Sequence, residues 1–157
     1  MKPKVYLETT IPSLLTARPS PSLRVANDQQ VTLEWWERRR RHFKLYVSEL
    51  VLDEISQGEP AMAAARQAAM RECAILEARD EAQELGDAIL KAKLIPTKAA
   101  ADAFHVATAA VHGMDFLLTW NCRHIANAAI ADRLRALCEK ADYSLPVLCT
   151  PYELMIE

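Results

Sequence analysis

Five short apolar runs, separated by longer segments, constrain the fold of this chain more than any other feature of the sequence. Each run is continuously apolar rather than alternating, which is typical of strands that are buried on both faces of a sheet. The predicted strands cover residues 5–7, 44–47, 74–76, 116–119 and 147–149. Because the connections between them are long enough to carry helices, the strands are predicted to pair in parallel.

The segments between the strands carry the signals of helices. Helices are predicted at 29–41, 50–56, 61–71, 80–93, 96–112 and 123–140, with a last short helix that begins at Thr150 and Pro151. The segment 16–27 contains Pro19 and Pro21 beside serines, so it is predicted to be a loop. Strands that alternate with helices predict one α/β domain over residues 1–157, with a five-stranded parallel sheet between two helical layers.

The composition limits the classes of protein to which this chain can belong. With 157 residues, 51% of them hydrophobic, the chain can bury a core without disulfides and is not intrinsically disordered. The net charge of −2 excludes a generally basic nucleic-acid wrapper but allows a local basic patch. The cysteines form no CxxC pair, the opening apolar run is too short for a signal peptide, and no stretch is long enough for a membrane span. We therefore expect a soluble cytoplasmic protein.

Four polar side chains lie near the ends of the predicted strands. Glu8 follows the first strand, and Glu54 lies in the helix after the second. Asp102 lies in the helix before the fourth strand, and Asn121 follows that strand. In open α/β sheets the ligand cleft lies beyond the carboxyl ends of the strands, so these side chains are predicted to meet there. Carboxylate and amide oxygens suit Mg²⁺ or Mn²⁺, and a divalent ion would offset the repulsion among clustered carboxylates.

Each of these residues also has an ordinary structural interpretation. Asp102 lies in a helix that is apolar on nearly every side, and Lys98 or His105 could supply the partner that a buried carboxylate needs. The alternative for Glu54 is an exposed helix side chain. For Glu8 it is a turn cap after the first strand, and for Asn121 it is a helix N-cap after the fourth strand.

Other catalytic motifs are missing from the sequence. The three glycines, Gly58, Gly86 and Gly113, cannot form a GxGxxG phosphate loop or a GxSxG nucleophile elbow. The histidines lack the HExxH or Cys/His spacing of zinc sites. His105 is therefore interpreted as a core or surface residue, like the other histidines.

A basic run closely follows two tryptophans; these residues are Trp35, Trp36, Arg38, Arg39, Arg40 and Arg41. The element could contact RNA phosphates and bases. Alternatively, the arginines stabilise a helix carboxyl terminus and the tryptophans pack in the core or at a dimer interface. We favour packing for the tryptophans and keep both interpretations for the arginines.

Four segments, in order along the chain, resemble motifs of PIN-domain nucleases. Residues 5–10 (VYLETT) resemble the opening strand and its acidic turn, and residues 47–54 (VSELVLDE) are similar to the second strand and its helix glutamate. Residues 101–107 (ADAFHVA) closely match the most specific motif, and residues 117–121 (LLTWN) match the strand that normally ends in Thr-x-Asp. The resemblance covers essentially the whole chain and points most specifically to VapC-like toxins of type II toxin–antitoxin systems.

The resemblance implies a PIN-like fold and a Mg²⁺- or Mn²⁺-dependent endoribonuclease. It also implies an RNA substrate, a homodimer and a VapB-type antitoxin that blocks the cleft. In this interpretation the site contains metal-binding carboxylates, an amide that orients a water or a ligand, and hydroxyl groups that fix the carboxylates. The carboxylates are those of Glu8, Glu54 and Asp102. The amide is that of Asn121, and the hydroxyl groups are those of Thr10 and Thr119.

Two positions depart from the family pattern. Glu8 is one methylene longer than the usual Asp, which would shift a ligand, and Asn121 replaces the usual fourth Asp and removes a negative charge. These departures motivate a second hypothesis, that the chain is a catalytically weak or inactive PIN-like module that binds RNA or a protein partner.

Overall fold

The computed structural model describes residues 1–155, and within that range the chain forms five strands and seven α-helices. The strands are β1 (Lys4–Leu7), β2 (Lys44–Ser48), β3 (Ala74–Leu76), β4 (Phe116–Leu118) and β5 (Val147–Cys149). The helices are α1 (Thr10–Thr16), α2 (Leu23–Arg38), α3 (Glu49–Ile55), α4 (Pro60–Ala69), α5 (Asp80–Lys91), α6 (Ala100–Val111) and α7 (Ala128–Lys140). Short 3₁₀ turns at Arg40–His42, Met70–Glu72 and Thr97–Ala99 precede β2, β3 and α6.

All five strands are parallel and lie in the order β3-β2-β1-β4-β5. Right-handed crossovers place α1–α4 on one face of this sheet and α5–α7 on the other. The helix contacts agree, because α1 packs on α2 and α4, whereas α5 packs on α6 and α7. The predicted three-layer α/β/α architecture is confirmed. The direction of winding reverses between β1 and β4, so the crevice typical of such sheets lies at the carboxyl ends of these two strands.

The core explains why α6 can approach the sheet and its neighbour α5 so closely. Seven of the twelve residues of α6 are buried, and most of them are alanine or valine. Gly86 of α5 faces Phe104 of α6, and a Cβ added at Gly86 would lie 2.3 Å from Phe104 Cδ1. The two helices are therefore in contact at a distance that only glycine permits. No helix within residues 1–155 is long and apolar enough to cross a membrane.

Three local predictions were wrong. Thr10, where a turn was expected, is the first residue of α1. Helix α2 begins at Leu23, inside the predicted loop, because the Ser22 hydroxyl accepts a hydrogen bond from Val25 N and caps the helix. The short helix expected after Thr150 is a turn, which is closed by hydrogen bonds between Thr150 and Glu153. Side-chain hydrogen bonds that average propensities do not capture form at Ser22 and Thr150, whereas the N-cap residue of α1 makes no side-chain capping hydrogen bond.

Candidate functional site

Glu8 lies in the crevice between β1 and β4 and is only 4% exposed. Its backbone N–H donates to Leu118 O at 3.1 Å, which extends the β1–β4 pairing by one residue. Oε1 of Glu8 accepts hydrogen bonds from Thr10 N at 3.1 Å, Thr10 Oγ1 at 2.5 Å and Thr119 Oγ1 at 2.6 Å. Three donors on one oxygen offset the cost of burying this carboxylate. The contacts with Thr10 tie Glu8 to the first residue of α1, so Glu8 also makes the local cap considered from the sequence.

The two threonine hydroxyls have their protons directed toward Glu8. Thr10 Oγ1 accepts from Trp120 N at 2.8 Å, and Thr119 Oγ1 accepts from Asn121 N at 2.9 Å. Because each hydroxyl has one proton, accepting from the backbone leaves that proton for the carboxylate. The loops after β1 and β4 thus hold Glu8 in one orientation.

Glu54 reaches the same edge of the sheet from α3. Its Oε1 accepts from Thr9 Oγ1 at 2.7 Å and contacts His105 Nε2 at 2.6 Å, and its side chain is 32% exposed. Partial burial acts to raise the pKa of Glu54, but the hydrogen bond and charge of His105 and the hydroxyl of Thr9 outweigh it, so the pKa lies below its ordinary value. Glu54 is therefore ionised at neutral pH and cannot donate to His105.

This charge state sets the direction of a buried hydrogen-bond chain. His105 is 1% exposed; its Nε2–H donates to Glu54, and Tyr6 Oη lies 2.6 Å from its Nδ1. Burial raises the pKa of Tyr6 far above its ordinary value, so the phenol keeps its proton and donates it to Nδ1 when the ring is neutral. Ser48 Oγ, 2.8 Å from Tyr6 Oη, then donates to Tyr6 and accepts from Val51 N at 3.3 Å.

Asp102 and Asn121 form the third part of the site. Asn121 Nδ2 donates to Asp102 Oδ2 at 2.9 Å, and Asn121 Oδ1 accepts from His124 N at 3.0 Å. The amide thus holds Asp102 with its nitrogen while its oxygen caps the local turn. Asp102 pairs with neither of the partners considered from the sequence, Lys98 and His105, within residues 1–155.

Hydrogen bonds join the predicted site residues into two separate branches near the carboxyl end of the sheet. One branch runs from Asp102 through Asn121 and Thr119 to Glu8 and Thr10, and the other joins Glu54 to Thr9 and His105. Within residues 1–155, each of the three carboxylates uses only one oxygen in these bonds and forms no ion pair with lysine or arginine. The oxygens without a hydrogen bond are Glu8 Oε2, Glu54 Oε2 and Asp102 Oδ1.

The fit of these residues to a divalent cation depends on the type of site. In the part of the chain that the structure describes, no group of three or more His, Cys, Asp or Glu side chains is arranged as a metal-ligand set. Mg²⁺, however, usually retains several waters and contacts one or two carboxylates together with substrate phosphates. Carboxylate oxygens that have no hydrogen-bond partner suit this kind of hydrated, partly open site, and not an all-protein cage.

The arginine run lies at the other end of the sheet. Arg38 ends α2, and the turn Arg40–His42 leads into the amino end of β2. Arg40 Nη1 donates to Trp36 O at 2.6 Å, and its guanidinium lies 4.9 Å from the centroid of the Trp36 ring. Trp35 is fully buried and stacks on Phe43, as the packing interpretation predicts. The arginines therefore do not line the carboxylate region.

Sequence reasoning missed the contribution of Tyr6, Thr9 and His105. His105 lies one helical turn after Asp102, a spacing that places the two side chains on neighbouring parts of one face of α6. That spacing was the available signal, but the apolar surroundings favoured a core histidine. Tyr6 gave no signal, because a tyrosine in a buried strand has the same pattern whether or not its hydroxyl has a partner.

Two solved structures resemble this chain over nearly its whole length. VapBC2 from Rickettsia felis, bound to a DNA fragment from the promoter, matches with a TM-score of 0.52 and 13% identity over 93% of this chain and 97% of that chain. FitAcB from Neisseria gonorrhoeae matches with a TM-score of 0.54 and 14% identity over 94% of this chain and 98% of that chain. At this identity the likeness shows the fold alone, and it agrees with the predicted PIN-like architecture. No family model and no curated protein sequence matches the chain.

Proposed function

We propose that this protein is a metal-dependent endoribonuclease that hydrolyses RNA phosphodiester bonds at the carboxyl edge of its sheet. The observation that carries the proposal is that three carboxylates are held by hydrogen bonds near the carboxyl end of the sheet, and each keeps one oxygen without a partner in residues 1–155. Within residues 1–155 none of these three oxygens is among the buried side-chain atoms that lack a partner, so each is open to solvent. Oxygens left without hydrogen bonds are the feature that a hydrated cation would use.

In this proposal Glu8, Glu54 and Asp102 hold Mg²⁺ or Mn²⁺ directly or through water. When bound, such an ion lowers the pKa of water and stabilises the negative charge that develops on the phosphodiester. Asn121 orients Asp102, while Thr10 and Thr119 fix Glu8. In this step a water oxygen would form a bond to phosphorus as the bond to the bridging RNA oxygen breaks; one water proton would pass to a carboxylate that holds the ion only through water, and the leaving oxygen would take a proton from solvent.

We further propose that the chain acts as the toxin of a type II toxin–antitoxin pair. Two independent similarities support this role: the sequence motifs resemble VapC-like toxins, and the structural neighbours are named VapBC2 and FitAcB. The expected partners are an RNA substrate, a VapB-type antitoxin that covers the cleft, and a second copy of the chain in a homodimer. Co-purification of the chain with the product of a neighbouring small reading frame, and loss of cleavage in that complex, would test the role.

The nuclease proposal is tested by replacing Asp102 with alanine. We expect Asp102→Ala to abolish RNA cleavage in Mg²⁺ or Mn²⁺ and to leave the circular dichroism spectrum unchanged. Asp53→Ala is the matched control, because Asp53 is an exposed carboxylate one residue from Glu54 and outside the network. An unchanged cleavage rate in Asp102→Ala, or equal losses in both variants, would overturn the assignment.

A second function is favoured by one specific observation. The described residues contain no preformed set of three metal ligands, and Asn121 occupies a usual acidic position of the family. A PIN-like module that binds RNA or a protein without cutting would have these features. Calorimetric titration with Mn²⁺ separates the two functions: Asp102-dependent binding supports the nuclease, and the absence of binding supports the module.

A further inference from the structure

A basic depression lies at the amino end of the sheet, a full strand length from the carboxylates. Its volume is about 600 Å³, and its charged lining residues are Lys2, Arg40, Arg41, Lys44 and Glu72. Lys44 begins β2, and the chain places Lys2 beside it, because Lys44 N donates to Pro3 O at 2.9 Å. The cations therefore gather from the first residues of the chain, from the turn after α2 and from the start of β2.

The charge of this depression is concentrated and largely uncompensated. Four basic side chains face one acidic side chain, so three positive charges remain in a protein whose net charge is −2. Glu72 is paired with Arg40, with Nε and Oε1 2.9 Å apart. None of the ion pairs formed within residues 1–155 uses Lys2, Arg41 or Lys44. Cations grouped in one concavity raise the local positive potential, which attracts anions.

Part of the depression is held rigidly before any ligand arrives. Arg40 is fixed by Glu72, by the carbonyl of Trp36 and by the face of the Trp36 ring. Phe43, which also lines the depression, stacks on the buried Trp35 with ring centroids 5.7 Å apart. A site whose cation and aromatic wall are already positioned loses little side-chain entropy when it binds a ligand.

We propose that this depression binds the backbone phosphates of single-stranded RNA. The excess of cations selects a polyanion, and the partly buried Phe43 and Tyr46 favour a strand whose bases are free to contact aromatic side chains. We take this RNA to be the same strand that is cut at the carboxylates, and this step rests on the proposed function. The binding itself does not require catalysis. The substrate would then be held at both ends of the sheet.

The geometry divides the arginine run into two pairs. Arg40 and Arg41 line the depression, whereas Arg38 and Arg39 are not among its lining residues. Arg38 is exposed at the end of α2, and the guanidinium of Arg39 lies 6.0 Å from the Phe43 ring. Neighbouring residues of the same type are thus expected to differ in their effect on RNA binding, which provides a control inside the same run.

The test measures RNA binding in EDTA, where no metal-dependent cleavage occurs. Fluorescence anisotropy with a labelled single-stranded oligoribonucleotide compares Arg41→Gln/Lys44→Gln with the matched control Arg38→Gln/Arg133→Gln, which removes the same charge from exposed positions. We expect the first variant to bind at least tenfold more weakly. The slope of log affinity against log salt should decrease by about 1.4, because each lost phosphate contact on a single strand contributes about 0.7.

Each outcome decides the proposal. Equal weakening in both double variants would show that only net charge matters, and an absence of RNA binding by the wild type would overturn the proposal directly. Duplex DNA that binds with equal affinity and the same dependence on Arg41 and Lys44 would overturn the assignment to single-stranded RNA. Binding in EDTA that depends on Arg41 and Lys44 would stand even if no metal-dependent cleavage were found, so a failure of the nuclease proposal remains distinguishable from a failure of this one.

Discussion

His105 and Glu54 meet at the carboxyl edge of the sheet, where Nε2 of the buried ring lies 2.6 Å from Oε1 of the carboxylate. The ring connects the core with the candidate site, because its other nitrogen contacts the phenol of Tyr6. Since ionised Glu54 can only accept, one tautomer of the neutral ring satisfies both contacts. The position of Glu54 is therefore set by a series of hydrogen-bonded side chains. That series begins on β2, outside the crevice between β1 and β4.

Tyr6→Phe tests this chain. The substitution keeps the ring but removes the proton that Nδ1 accepts, and it leaves buried polar atoms of Ser48 and His105 without their partner. We expect the free energy of unfolding to fall by about 1–3 kcal/mol. The ¹⁵N NMR signals of the His105 ring should also shift toward a mixture of tautomers. Urea unfolding measures the change in the free energy of unfolding. Tyr143→Phe is the control, because Tyr143 lies outside this chain of hydrogen bonds. A sharp, unchanged imidazole spectrum in Tyr6→Phe would contradict the derived direction.

Asn121→Asp restores the acid usual in the family and tests the charge of the site. The new carboxylate would lie about 3 Å from Asp102, in place of the amide that donates at 2.9 Å. At neutral pH and without metal, repulsion is expected to cost roughly 1–3 kcal/mol. The loss should shrink as the pH falls, because a protonated Asp can donate as the amide does. Mn²⁺ should raise the thermal midpoint of this variant more than that of the wild type. Equal midpoints in EDTA at neutral pH would mean that the two side chains are not adjacent.

Gly86→Ala tests the close packing of α5 on α6. Alanine favours a helix by up to about 1 kcal/mol over glycine, but the added Cβ would meet the Phe104 ring at 2.3 Å. We expect the steric clash to outweigh the gain in helix propensity. The free energy of unfolding measured in urea should therefore fall by about 1–3 kcal/mol. Glu84→Ala, an exposed change on the same helix, should be nearly neutral. Adding Phe104→Leu should recover part of the loss, and a stabilised Gly86→Ala would refute the contact.

The cysteines predict an asymmetry in thiol labelling and a loss of stability at alkaline pH. Burial raises the pKa of Cys73 and of Cys149 to about 12 and that of Cys138 to about 11, from 9.0. Cys122 is exposed, and the other three cysteines are buried. Iodoacetamide should therefore label Cys122 first in the folded protein, as mass spectrometry would show.

The sign of the pH effect follows from proton binding. Above pH 9.0 the unfolded chain loses thiol protons that the folded chain keeps. The contribution of these thiols to stability is complete below that pH and is lost as the pH rises toward 12. A Cys138→Ala variant should lose less stability between pH 9 and pH 11 than the wild type, and parallel curves would argue against a buried neutral thiol at that position.

The sequence alone was sufficient for the architecture, and it predicted a candidate site that did not include Tyr6, Thr9 or His105. Continuous apolar runs at positions such as 5–7 and 116–118 can be buried only between two helical layers, and the order of strands along the chain then places Glu8 and Asn121 at one edge. Those inferences rest on periodicity and on the geometry of parallel sheets, which depend little on individual contacts. The loop error before α2 arose where a single capping hydrogen bond decided the structure.

Only the tertiary structure decided which atom of each site residue is engaged, and with what. The partnership of Asp102 with Asn121, the link of Tyr6 to His105, and the separation of Arg40 and Arg41 from the carboxylates join residues that are distant in sequence or at opposite ends of a strand. Hydrogen bonds require a precision of tenths of an ångström, whereas a hydrophobic pattern specifies only which face of an element is buried. That difference in precision is why the sequence predicted the fold and the candidate carboxylates, but not the donors and acceptors that hold them.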